Sequence, residues 1–253
     1  MKRALIVLLS IVVVAGAFAI GGSEDEGDSG PLKIVVATDA TWPPMEFLNA
    51  DKEIVGYDID LMKAIADAAG FEVEFANTAW DGIFAGLATD EYDAVISSVT
   101  ITDERKATMD FSDWYINAGQ VLIVAQSTSG VDTLGDMAGK TVGAQIGTTG
   151  AFAIEDAAGV ELATFDELGL AIAALANGQI DGVVADTPIA ADYVLQNDEY
   201  KDSLKIVGEA FTDEYYGIAV KKGNAEILDL INEGLAAVLA SDIPAQLENK
   251  WLR

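Results

Sequence analysis

From residue 32 to residue 251 the chain alternates short apolar runs of strand length with helical stripes, and that alternation dictates an α/β fold. Residues 32–37, 71–76, 92–96, 120–125, 141–145, 161–165, 182–185, 204–207 and 217–220 read as strands. Between them, Ile59, Met62, Ile65, Ala66 and Ala69 form a helical stripe with Gly70 placed to end it. Residues 80–88, 151–158, 166–176, 225–240 and 244–251 also carry helical patterns, and Pro188 suits the first turn of another helix. Strands separated by helices predict mainly parallel sheets.

Four polar clusters stand in equivalent places, just after a strand and just before a helix. They are Thr38-Asp39, the stretch from Ser97 to Arg105, the Gly147-Thr148-Thr149-Gly150 turn, and Asp186. Open α/β sheets bind ligands outside the carboxyl ends of their strands, so four such loops are able to converge on one small polar molecule. In the second cluster Thr102 is placed as an N-cap, with Asp103 and Glu104 complementing the positive end of the helix dipole. Arg105 follows about one turn into that helix. Only three arginines occur, and the others are Arg3 and Arg253, so the internal one stands out among lysines. A guanidinium grips a carboxylate bidentately where an ammonium cannot.

Composition removes several functions. The chain has no histidine and no cysteine, which excludes Ser-His-Asp and Cys-His catalysis, disulfides and the usual zinc ligand sets. Lys2-Arg3 precede a long apolar run over residues 4–20, with Ala17-Phe18-Ala19 as an A-x-A site, so residues 1–22 read as an export signal or a retained membrane anchor. Residues 23–31, SEDEGDSGP, read as a flexible acidic tether. Without Lys2 and Arg3, 12 basic residues face 42 acidic ones, a net charge near −30 that repels nucleic acid and anionic membrane surfaces.

Taken singly, each motif has an ordinary structural reading. Asp39 is equally a turn residue, Asp186 an N-cap, the GTTG turn a helix start, and Trp42 and Tyr57 core aromatics. No Gly-Lys-Ser/Thr follows GTTG, so nucleotide binding gains nothing from it. Taken together, Arg105, Thr100 and the Thr149 N–H make an anion grip, Asp186 an opposed carboxylate, and Trp42 and Tyr57 an aromatic wall. That set fits a zwitterion.

At this point the chain resembles the amino-acid-binding proteins of ABC importers, the family 3 extracellular solute-binding proteins. The resemblance rests on ATDATWPPMEF (37–47), VGYDIDLMKAIA (55–66), SSVTITDERKATMDFSDWY (97–115), VGAQIGTTG (142–150), DGVVADTP (181–188) and YYGIAVKKGN (215–224), in order along the chain. It implies a periplasmic-binding-protein-like type II fold: two α/β lobes joined by a two-segment hinge near residues 115–119 and 212–217. Residues 32–116 plus 216–253 would form one lobe and 117–215 the other. Carried over by motif, Arg105 would hold the α-carboxylate with Thr100 and, from the other lobe, Thr149 beside Thr148. Asp186 would hold the α-ammonium with Ser98. Asp39, Trp42, Tyr57 and Gln145 would surround the side chain, and Ser97 would line the floor. The implied protein is a monomer with no cofactor, metal or catalytic residue. It would capture a free polar or cationic L-amino acid (arginine, lysine or glutamine ahead of the acidic ones) and deliver it outside the cell membrane, or in the periplasm, to an ABC permease. Two other readings share the fold: a dehydratase of prephenate-like acids using Glu46 or Asp39 as general acid, and a ligand-sensing domain.

Overall fold

The computed structural model describes residues 31–253; the expected signal or anchor at residues 1–22 lies outside them. Two five-stranded sheets organise the chain. The first has the spatial order Glu72–Asn77, Lys33–Thr38, Ala94–Val95, Ala219–Lys221, Met109–Phe111; the second runs Glu161–Phe165, Thr141–Gln145, Gly182–Asp186, Gln120–Ala125, Leu204–Val207. In each, the first three strands are parallel and the fourth is antiparallel to both its neighbours. Mainly parallel sheets were the expectation; half the pairings are in fact antiparallel. The reason lies in the connections. Ala219–Lys221 and Gln120–Ala125 each enter their sheet directly from a crossing segment at the end where the parallel strands finish, so they run back the other way.

Those crossing segments are Ile116–Asn117 and Tyr215–Tyr216, which pair antiparallel with each other. Because Ala219–Lys221 follows the second crossing, the first sheet is assembled from both ends of the described chain. Helices are packed likewise: Tyr57–Ala69 lies against Ala225–Leu239, where Gly234 comes so close that an added Cβ would stand 2.5 Å from the Ile65 carbonyl. Tyr57–Ala69 buries Ile59, Leu61, Met62, Ile65 and Ala66 and stops at Gly70, whose φ of 78° is left-handed and whose N–H caps the Ala66 carbonyl.

The double proline at Pro43-Pro44 reads as an ordered loop. It instead sits in the turn of a small antiparallel sheet, Thr41–Trp42, Glu46–Leu48 and Ile54–Val55. Pro lacks a donor, and the turn between Thr41–Trp42 and Glu46–Leu48 requires none of it. Among the described residues, no helix is long and apolar enough to cross a membrane.

Candidate functional site

The four polar clusters meet. Asp39 follows the strand Lys33–Thr38, Ser97 to Thr100 follow Ala94–Val95, Gln145 ends Thr141–Gln145, and Asp186 ends Gly182–Asp186. A narrow cleft opens between the ends of the two sheets. Ten of the eleven residues singled out from the sequence line it: Asp39, Trp42, Ser97, Ser98, Thr100, Arg105, Gln145, Thr148, Thr149 and Asp186. Tyr57 is the exception. It opens the helix Tyr57–Ala69, is 2% exposed, and packs into the core behind the cavity.

Arg105 is held by local chemistry. Thr102 caps the helix Asp103–Thr108 by accepting the Arg105 backbone N–H at 3.1 Å. The guanidinium then donates to the Thr100 carbonyl at 2.9 Å and, from the other side of the cavity, to the Gly147 carbonyl at 3.4 Å. It sits 5.3 Å from the ring centroids of both Trp80 and Phe84, a cation–π seat. Burial lowers its pKa, and Asp186 and Glu214 oppose that shift. The Thr148 hydroxyl caps the helix Thr149–Asp156 by accepting the Ala151 N–H.

Asp186 precedes the helix Thr187–Ala191 but makes no side-chain cap, so its carboxylate is free for other work. Gln120 Nε2 donates to it at 2.5 Å. Burial, with Glu214 nearby, pushes its carboxyl up to about 7, against the pull of Gln120 and Arg105. Asp39 is tied differently. It accepts from the Thr41 hydroxyl, the Trp80 N–H and, across the cavity, the Gln145 amide at 3.1 Å, while burial raises its pKa.

Beneath the floor lie two more carboxyl groups. Glu46, which also lines the cavity, accepts from the Ser97 hydroxyl at 3.0 Å and the Ser98 hydroxyl at 3.2 Å. Asp58 accepts from the Ser98 N–H and the Tyr115 hydroxyl, both at 2.8 Å. Ser98 serves both with a left-handed backbone, φ 50°. Both carboxyl groups are buried, their pKa values are raised by that burial, and Glu46 is further raised by Asp58. Asp58 Oδ1 is buried without a hydrogen-bond partner.

Trp80, Gln120 and Glu214 were not singled out from the sequence as site residues. Trp80 follows the same rule as the four clusters, since it opens the helix Trp80–Ala88 directly after the strand Glu72–Asn77. Gln120 is the lone polar residue in the strand QVLIVA. Glu214 carried no signal beyond its place before the second crossing segment.

This architecture agrees with the comparisons. The sequence model of the bacterial extracellular solute-binding proteins, family 3, matches residues 34–253, and the chain belongs to that family. A probable histidine-binding protein of Neisseria gonorrhoeae is 38% identical over 211 residues, covering 81% of this chain and 78% of the relative. Two solved structures of an ancestral arginine-binding protein, one bound to arginine and the other to glutamine, superpose on this chain. The arginine-bound form has TM-score 0.83 and 40% identity, and the match covers 88% of this chain and all of that one. The glutamine-bound form has TM-score 0.81 and 42% identity, covering 87% and 97%.

Proposed function

We propose that the chain is the amino-acid-capturing component of an ABC importer, holding one polar or cationic L-amino acid between two lobes and presenting it to a membrane permease outside the cytoplasm. One observation carries this reading: one cavity, lined from both sheets, contains a guanidinium and a separate buried carboxyl, the two poles of a zwitterion. Arg105 takes the α-carboxylate, Asp186 the α-ammonium, and Asp39 with Gln145 the far end of the side chain. Three carboxyl groups and one cation line the cavity, which disfavours acidic side chains and favours arginine, lysine or glutamine. Relatives described as binding histidine and arginine, and a related structure holding glutamine, support that class.

The proposed lobes are residues 32–116 plus 216–253 and residues 117–215, a division that the pairing of the two crossing strands supports. Anchors on both sides of the cavity mean that only the closed arrangement satisfies both poles of the ligand, the differential affinity a population shift requires. The protein works as a monomer. A thermal-shift screen of the twenty amino acids, followed by calorimetry, tests the reading: a true ligand raises Tm in proportion to ln(1 + [L]/Kd), and no stabilisation by any of them overturns it.

The enzymatic alternative has one observation in its favour, since Glu46 lines the cavity and burial raises its pKa. Both of its oxygens, however, already accept from the Ser97 and Ser98 hydroxyls. Turnover of prephenate would be required to revive it.

A further inference from the structure

Glu214 does not line the cavity, yet it touches the groups that do. It lies beside the second crossing strand and is 9% exposed. Its Oε2 accepts from the Thr149 hydroxyl at 2.7 Å and from the Thr100 hydroxyl at 2.9 Å, while Oε1 accepts from the Thr212 hydroxyl at 2.8 Å. Gln120 Nε2 approaches Oε2 at 3.4 Å and donates at shorter range to Thr149 Oγ1 and Asp186. One carboxylate oxygen thus joins the loop after Ala94–Val95, the helix Thr149–Asp156 and the crossing segment.

A threonine hydroxyl has one hydrogen and two lone pairs. With its hydrogen given to Glu214, Thr100 can only accept from the cavity. Thr149, which also receives Gln120, keeps one lone pair. Thr100 counts in the anion grip from the sequence; with this geometry its hydroxyl is left as an acceptor, suited to an ammonium and not to a carboxylate. The carboxylate is left to Arg105 and to backbone N–H groups.

We propose that Glu214 is a positioning residue that fixes the polarity of the cavity, turning the Thr100 and Thr149 hydroxyls into acceptors for the ligand's α-ammonium while tying both lobes to the hinge. The inference rests on the amino-acid-binding reading above. It places the recognition of the ammonium in a relay, Glu214 to Thr100 beside Gln120 to Asp186, and assigns to one buried residue a selectivity for α-amino over des-amino acids.

The test compares two probe pairs by calorimetry: L-arginine with 5-guanidinopentanoic acid, and L-glutamine with 4-carbamoylbutanoic acid, each analogue lacking only the α-ammonium. In Glu214→Gln the amide is free to turn a donor toward the threonines, so binding of the amino acids should weaken at least tenfold and that of the analogues less than threefold. Thr100→Val, which keeps the shape and removes the acceptor, should show the same selectivity and covers the case in which Glu214→Gln folds poorly. In the double variant the two losses should fall well short of multiplying, because both act through one hydroxyl. Equal weakening of amino acid and analogue marks a merely structural role and overturns the inference, as does unchanged binding of both. If the unaltered protein binds none of the twenty amino acids, the functional reading itself fails, a result distinct from either.

Discussion

Gln145 Nε2 donates to Asp39 Oδ2 across the cavity at 3.1 Å, and the same amide nitrogen donates to the Asp166 carbonyl at 2.9 Å. The amide therefore spends both its hydrogens on protein acceptors and fixes the orientation of Asp39. Its oxygen is the part left for a ligand. An acceptor oxygen beside a carboxylate is a surface for donors, which is the chemistry of a guanidinium, an ammonium or an amide nitrogen.

Asp39 and Asp186 should respond differently to neutralisation. Asp186→Asn should weaken every amino-acid ligand by a similar factor, because each carries the same ammonium. Asp39→Asn should reorder them, lowering arginine and lysine relative to glutamine. Calorimetric Kd values for three ligands on the two variants decide it; parallel losses in both would mean that the division between backbone and side-chain pockets is misplaced.

Arg105→Lys should lower affinity roughly a hundredfold, about 2.8 kcal/mol. A lysine ammonium lacks the planar fork, and it cannot keep the Thr100 and Gly147 carbonyls while also gripping a carboxylate on two sides. Calorimetry and the ligand-induced rise in Tm both report the loss. Normal binding by this variant would show that Arg105 does not hold the carboxylate.

Ligand capture should release protons near neutral pH. The Asp186 carboxyl sits at about 7 in the empty cavity. An adjacent α-ammonium favours its charged form and lowers that value. Affinity should therefore fall as pH drops from 8 to 6. Titrations in buffers of different ionisation enthalpy should show net proton release at pH 7, and Asp186→Asn should abolish it.

Stability without ligand should decline as pH rises from about 4 to about 8. Glu46, Asp58, Asp39 and Asp186 all have folded pKa values raised above their unfolded ones, so the native state binds more protons through that window. Their contribution is fully present below the unfolded values and is lost as pH climbs through the folded ones. Asp58→Asn removes one of these protons and should flatten the dependence of Tm on pH. An unchanged slope would mean that the Asp58 carboxyl does not have a raised pKa in the folded protein.

The sequence made the site legible because each cluster obeyed one local rule, a polar run at the end of an apolar strand. Arg105, Asp186 and the GTTG turn all follow it, and the structure brings them to one cavity. Tyr57 did not obey it, being the first residue of an amphipathic helix, and it went to the core. Strand direction was hidden for a related reason. Hydrophobic runs report burial, but whether Gln120–Ala125 lies parallel or antiparallel depends on where the chain enters the sheet, which only the crossing segments determine. Glu214 was illegible because its partners, Thr100 and Thr149, are 114 and 65 residues away.

The place of Ala219–Lys221 between Ala94–Val95 and Met109–Phe111 also governs when this protein can fold. The first sheet has a gap at its fourth position until Lys221 is available, so an emerging chain cannot complete it from its earlier residues alone. The strands that wait for it are more than a hundred residues upstream, and such long-range pairing is slow to form. Until then the facing edges of Ala94–Val95 and Met109–Phe111 stay unpaired, so the first lobe closes its sheet only after the second crossing segment has formed.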